Sequence, residues 1–479
     1  MNITDHPSFV AGMRNYLNTT PPDFDSETSI ARHITAAYNA VTEELNLSEE
    51  PLLSADNFLW SYNALLGIFE RVEIPGLITL AQLYDGIYTA GDSGKPKRIR
   101  IGWQRANNIA RSIHRLHELQ APKLFESPTP GICCTSGFLQ VSEYGPELSG
   151  HNPDHAQTIA YDFDINPETE APEKWLAFLD SLFENDEDKH SKIAVLQEFI
   201  GASISNVATT FQKCLLLLGH GSNGKSVLCD IIAELLFPEG TATFISPRRW
   251  DRDYSLAGLK NSKINIVTEL PETSALESGG EIFKAVVAGD CLECRLPYQP
   301  PHFIRPSAGH IFAANELPHN RDHSHGFWRR WMTINFNVNF EDSPFRKTKT
   351  EIMDSLKDER GAIIVWALHG AARLIRRGDY TRVESHNETV AEWKKDSDAV
   401  YDFALSCLEY PATFFTPLSD LREEFRVWAR HVGRCDEIGA RTLSKRLAKI
   451  KGLERKRKSS AVGFQCSVLP IQQWRETVN

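Results

Sequence analysis

Gly219-His220-Gly221-Ser222-Asn223-Gly224-Lys225-Ser226 is the stretch that decides the fold. Its glycines, closed by Lys and Ser, have the spacing of a phosphate-binding loop. A short apolar run, Cys214 to Leu218, precedes it, and a helical pattern, Ser226 to Phe237, follows. Strand, glycine-rich turn and helix in that order aim backbone N–H groups and a positive helix end at one point. Such a point binds the phosphates of a nucleoside triphosphate. Gly219, Gly221, Ser222, Asn223, Gly224, Lys225, Ser226 and Val227 are the candidate contacts. Lys225 would neutralise the β and γ phosphates of ATP, and the Ser226 hydroxyl would ligate Mg²⁺. The plainer reading is a glycine-rich turn with a solvent-facing lysine; the flanking strand and helix argue against it.

Around this loop, short apolar runs alternate with helical patterns from about Phe211 onward. Lys213 to Leu218, Lys263 to Thr268, His310 to Ala314 and Trp331 to Phe336 are the expected strands, and Gly361 to Ile375 a helix behind them. That alternation predicts an α/β core with a parallel sheet. Two strand tips carry chemistry. Glu269, with Glu272 in reserve, ends the second strand, where a carboxylate holds Mg²⁺ or polarises the attacking water. Asn315 ends the third and would sense the γ-phosphate; turn capping is its plainer role. Arg329 and Arg330 follow a Gly326 turn. One of them is the candidate arginine finger, a cation supplied to the transition state, often by a neighbouring subunit. Without the other motifs a salt-bridged surface pair would explain them.

The 479 residues leave room for several domains and a sizeable core. Hydrophobic residues at 41% and charged residues at 24% exclude a disordered chain. No apolar run is long enough for a membrane span and no signal peptide is evident, so no membrane partner and a cytoplasmic setting are expected. Nine cysteines in this length read as reduced thiols. The net charge of −11 argues weakly against nucleic acid only when averaged. From Leu421 to Lys458 about a dozen Lys and Arg face about five acids.

Five regions are expected: 1–100, helical, including Phe58 to Phe69; 101–205, a mostly helical α+β domain; 206–345, the ATPase core; 346–400, helical; and 401–479. The second should hold a helix from Trp103 to Gln120, strands Ile132 to Cys134 and Phe138 to Val141, and helices Trp175 to Phe183 and Lys192 to Ile204. In the last, helices Leu418 to His431 and Arg441 to Lys449, a basic run Arg455 to Lys458 and a strand Gly463 to Leu469 suggest a winged helix-turn-helix. Arg441, Lys445, Arg446, Lys456 and Arg457 are its candidate nucleic-acid contacts. A solvated basic face is the alternative. Cys291-Leu292-Glu293-Cys294 is a single CxxC pair and lacks the further ligands a zinc site needs. Asp162 and Asp164 lack a placeable companion acid for primase chemistry.

Together these motifs resemble superfamily 3 helicases, AAA+ ATPases of the phage and plasmid primase type related to poxvirus replication helicases. The resemblance rests on Asn223 before Gly224-Lys225-Ser226, on Lys284, Gly289-Asp290, Arg295, Tyr298 and Pro306, on Asn315-Glu316-Leu317-Pro318 and on Gly326 to Arg330. It covers roughly Gly131 to Phe403. Thr268 departs from it, standing where many such strands carry a second acid. The resemblance implies a homo-hexameric ring with ATP between subunits, single-stranded and forked DNA as partners, 3′ to 5′ polarity, a bacterial host cytoplasm and a separate primase or polymerase. It also implies a pore hairpin within Arg295 to Arg305, whose Arg295 and Tyr298 would touch DNA. Spacing from Asn315 favours Arg330 over Arg329 as the finger. Two rivals stay open: an ATP-regulated replication initiator that binds an origin, and a nucleotide-switched assembly ATPase in defence or packaging.

Overall fold

The apolar run ending at Leu218 is buried almost throughout, as a strand inside a parallel sheet must be. The computed structural model describes residues 7–470 apart from 48–50, 56–57, 90–95, 117–118, 122, 271–279, 297–300, 321, 342–346, 435–437 and 459–460. Five strands form the central sheet: β1 (Cys214–Leu218), β2 (Ala242–Thr243), β3 (Ile264–Val267), β4 (Gly309–Ala314) and β5 (Trp331–Asn335). They run parallel in the spatial order β5-β1-β4-β3-β2. The expected α/β sheet is present, with the short β2 added at an edge.

Side chains alternate across the sheet. Leu215, Leu217, Ile264, Ile266, Ile311 and Ala313 face one core, which also holds Ile132, Leu139, Trp175 and Leu368. Cys214, Leu216, Val267, Phe312 and Ala314 face the other, filled by Trp250, Phe283, Trp331 and Trp393. The first core runs from Ile132 to Val383 without a break at residue 205. Helices α1 (Lys189–Ile204) and α3 (Arg360–Arg377) lie in it, and α2 (Lys225–Ile231), which follows the loop after β1, adds Leu228, Cys229 and Ile231. The α1–α3 crossing is close: a Cβ on Gly201 would sit 1.9 Å from the Ala367 carbonyl oxygen.

One buried carboxylate locks this crossing. Glu198 is fully buried and accepts hydrogen bonds from Arg373 Nε (2.8 Å), Arg377 Nη2 (2.9 Å), and Thr381 N and Oγ1 (both 2.8 Å). Removing one side of a buried, hydrogen-bonded ion network costs about 3–5 kcal/mol. The two arginines are partly exposed, which puts Glu198→Ala near the lower end. Urea denaturation should show that loss and a smaller one for Glu198→Gln, which keeps an acceptor.

β5 is an edge strand, and α4 (Glu384–Ser397) covers its open side. His386 Nδ1 accepts from Thr333 N at 3.1 Å, satisfying a backbone donor that an edge would leave unpaired. Asn335 Nδ2 donates to Thr389 Oγ1 at 2.8 Å. Burial, with Lys213 and Lys394 nearby, pushes His386 down to about 4, and burial pushes His310 down to about 3. Both rings are neutral in the fold and would take up protons on unfolding, so their contribution is complete above the unfolded pKa of about 6.5. It is lost as pH falls toward 4, by about 3 kcal/mol for His386. Urea midpoints should drop from pH 7 to pH 4.5. His386→Asn, which keeps an acceptor but cannot titrate, should flatten part of that slope.

The N-terminal region has its own core, built from helices Pro7–Thr19, Glu27–Glu44 and Trp103–Ile113. The helix expected over Phe58 to Phe69 is instead a hairpin, Phe58–Asn63 paired antiparallel with Ile68–Val72. Asn63 Oδ1 accepts from Leu65 N (3.1 Å) and Leu66 N (3.2 Å), and Gly67 takes φ +70°, so the chain turns there. This Asx turn, between aromatic-rich segments, overrides the helical spacing. The helix from Trp103 ends at Ile113, short of Gln120.

The C-terminal module comprises helices Ala399–Cys407, α5 (Leu418–His431) and α6 (Ala440–Leu447), packed on strands Phe415–Pro417, Glu454–Lys458 and Ala461–Gln465. The strand expected over Gly463 to Leu469 is split, with Ser467–Val468 pairing elsewhere. Among the described residues the cysteines are free thiols, and no helix is long and apolar enough to cross a membrane.

Candidate functional site

Strand order places the site. β4 lies between β1 and β3, with Ala314 opposite Leu218 and Phe312 opposite Val267. The carboxyl ends of all three therefore open on one edge, the usual binding position in an open α/β sheet. There the loop Gly221–Val227, Thr268–Leu270 and Ala314–Glu316 line one cleft of about 710 Å³. That volume falls within the range of small-molecule sites, about 300–1,000 Å³. Sequence-predicted residues from three separate strands thus converge on one cavity.

Within the loop, Lys225 is buried at the start of α2. Its Nζ donates to Gly219 O, to Asn223 Oδ1 (3.1 Å) and to His220 O (3.4 Å). Burial lowers its pKa. Ser226, Glu269 and Asn315 are exposed to the cleft, as are Gly221 and Ser222. Across its mouth His220 Nδ1 stands 3.6 Å from Glu316 Oε1. Gly219 is not on the cleft wall. With φ +154° it presses against the end of β5, where a Cβ would lie 2.4 Å from the Phe336 carbonyl oxygen. Asn223 is buried in the cleft wall, its side chain bonded to Lys225 Nζ and to Phe336 O. Glu272 lies outside the described residues. Among the described residues no three His, Cys, Asp or Glu groups gather as a metal cage. One hydroxyl and one carboxylate suit Mg²⁺, which takes much of its shell from phosphate and water.

The two arginines have different surroundings. Arg330 is buried, and its guanidinium donates to Lys284 O (3.1 Å) and to Gly326 O. Its guanidinium is thus held by its own chain, although spacing from Asn315 favours it as the finger. Arg329 is exposed and reaches Gln212 Oε1 at 2.5 Å. Both precede β5, at the sheet edge opposite the cleft. The five residues of β5 at roughly 3.3 Å each put about 16 Å between that edge and the loop.

Leu292–Cys294 pairs antiparallel with His302–Ile304, so the paired segment begins before the Arg295 to Arg305 span expected for a pore hairpin. Arg295 follows its first strand, Phe303 is exposed, and Tyr298 lies outside the described residues. Buried Cys294 Sγ sits 3.4 Å from His302 Nε2. Sequence reasoning missed a neighbouring surface. Helix Asp253–Ala257 packs against Leu292–Cys294, and around it Phe244, Arg248, Arg249, Arg252 and Tyr254 are exposed. Its signal was Pro247-Arg248-Arg249-Trp250-Asp251-Arg252, arginines interleaved with aromatics.

In the C-terminal module Arg441 and Lys445 are exposed on α6, and the whole strand Glu454–Lys458, with Lys456 and Arg457, is exposed. Lys456 pairs with Glu454 at 3.1 Å. Arg446, by contrast, is half-buried: its Nη2 donates to Asp398 Oδ1, the acid that caps helix Ala399–Cys407. This bond ties α6 to helix Ala399–Cys407 within the module.

Residues 217–330 match a family described as of unknown function, DUF5906. No curated protein matches the sequence. Among solved structures, two described as the NrS-1 C-terminal region share 12% identity with this chain. One has a TM-score of 0.47, covering 86% of this chain and 95% of its own. The other scores 0.43, covering 88% and 96%. Likeness of this degree says nothing of what the chain binds.

Proposed function

We propose that the chain is an ATP-driven DNA helicase of the AAA+ superfamily 3 type, working as a ring, with a winged helix at its C-terminal end. The observation that carries the reading is the convergence of Lys225, Ser226, Glu269 and Asn315 on one cleft from three strand tips. Lys225 and the loop amides would hold the β and γ phosphates. Ser226 and Glu269 would hold Mg²⁺, which supplies charge neutralisation. Glu269 would polarise the attacking water, and Asn315 would orient it against the γ-phosphate. The missing cation at the leaving side would be Arg329 of the next copy, since in its own chain Arg329 is at the far edge of the sheet.

The hairpin Leu292–Ile304 and the neighbouring Phe244, Arg249, Arg252 and Tyr254 offer cations and aromatic faces suited to a single strand, where each stacked base contributes about 1–3 kcal/mol. Arg441, Lys445 and Arg457 suit duplex backbone. The test is steady-state ATP hydrolysis with and without single-stranded DNA. Stimulation is expected, together with ATP-dependent unwinding of a forked duplex. A rate indifferent to DNA, with no strand separation, would leave the assembly-ATPase reading instead.

A further inference from the structure

We infer that Asn223 is a positioning residue that couples a chain's own nucleotide site to the one it shares with its neighbour, by tying Lys225 to strand β5. The inference rests on the nucleotide reading of the cleft.

β5 is a rod with one site at each end. At its start stands Arg329, exposed; beyond its end stands the phosphate loop. Between them β5 is bonded to β1 along its whole length. Arg330 O accepts from Cys214 N at 2.7 Å at one end, and Phe336 N donates to Leu218 O at 2.7 Å at the other. The strand end is fixed in turn by Lys192, whose buried Nζ donates to Asn335 O (3.0 Å) and Asp186 Oδ2 (2.6 Å).

The segment after β5 is laced to the loop. Gly219 packs directly on the Phe336 carbonyl, and Phe340 N donates to Ser222 O at 2.8 Å. Asn223 makes the link to the catalytic cation. Its Nδ2 donates to Phe336 O at 3.4 Å while its Oδ1 accepts from Lys225 Nζ at 3.1 Å. A carboxamide offers a donor and an acceptor on one planar group, which aspartate cannot. A displacement of β5 driven by what Arg329 meets on the neighbour therefore moves the Phe336 carbonyl, Asn223 and the Lys225 ammonium together. A lysine held only by phosphate would not feel that strand.

The experiment compares the ATP dependence of hydrolysis for wild type, Asn223→Asp and Asn223→Ala, with assembly and melting temperature recorded for each. Wild type should be sigmoidal. Asn223→Asp keeps an acceptor for Lys225 and loses the donor to Phe336 O, so its Hill coefficient should fall to about 1. Asn223→Ala loses both links and should in addition need about 5-fold more ATP for half-saturation than Asn223→Asp. Phe340→Pro, which deletes the amide donor to Ser222 O, gives an independent variant and should also lower the Hill coefficient. Cooperativity at the wild-type level in Asn223→Asp or in Phe340→Pro would overturn the coupling, as would a wild type that hydrolyses ATP without cooperativity. A wild type that neither binds a fluorescent ATP analogue nor hydrolyses ATP would remove the nucleotide reading itself, and the coupling with it.

Discussion

Lys225→Ala is expected to reduce ATP hydrolysis by on the order of 10³-fold or more. The ammonium is buried at the start of α2, where the loop's own acceptors, Gly219 O and Asn223 Oδ1, hold it in place. Alanine removes the charge that offsets the β and γ phosphates and leaves those acceptors without their donor. Loss of a single preorganised donor at a developing charge costs about 10²–10³ in rate, and here ground-state binding weakens as well. Steady-state hydrolysis, with titration of a fluorescent ATP analogue, measures both parts. Undiminished turnover in a folded Lys225→Ala protein would sink the phosphate assignment.

Arg329→Ala should bind ATP and fail to hydrolyse it, with a rate loss of about 10³–10⁵-fold, the range for a missing arginine finger. An exposed guanidinium at the sheet edge opposite its own cleft can serve a nucleotide only on another chain. Arg329→Lys should recover little, because a point charge does not replace a planar fork of donors. Arg330→Ala should behave differently. It deletes buried bonds to the Lys284 and Gly326 carbonyls, leaves acceptors unpaired and lowers stability by about 1–3 kcal/mol. Thermal melts and single-turnover rates on the two variants separate the roles. A stable, turnover-dead Arg330→Ala beside an active Arg329→Ala would reverse the assignment.

The parallel sheet and the residues on its three tips were legible because a glycine-rich turn between strand and helix fixes the spacing around Lys225 and because buried strands read as apolar runs. Glu269 and Asn315 could be placed from where those runs stop. What local pattern could not decide was which of two adjacent arginines is buried. That depends on carbonyls of Lys284 and Gly326, brought in by packing. Arg446 is the same case, since its partner Asp398 is 48 residues away. Phe58 to Phe69 misled for a different reason: apolar residues at helical spacing are also aromatic residues suited to strands, and the turn at Asn63 to Gly67 settles the matter. Asn223 pointed to a family resemblance in the sequence, and its bond to Phe336 O, 113 residues on, gives that position a physical use.

The measurement that tests the shared site most directly is a mixing experiment. Lys225→Ala and Arg329→Ala chains, each inactive alone, are co-assembled over a range of ratios and assayed for ATP hydrolysis. Some interfaces then pair an intact phosphate loop with an intact Arg329, so activity should return and peak at intermediate ratios. No recovery at any ratio, with mixed assembly verified, would contradict an arginine supplied by the neighbouring chain.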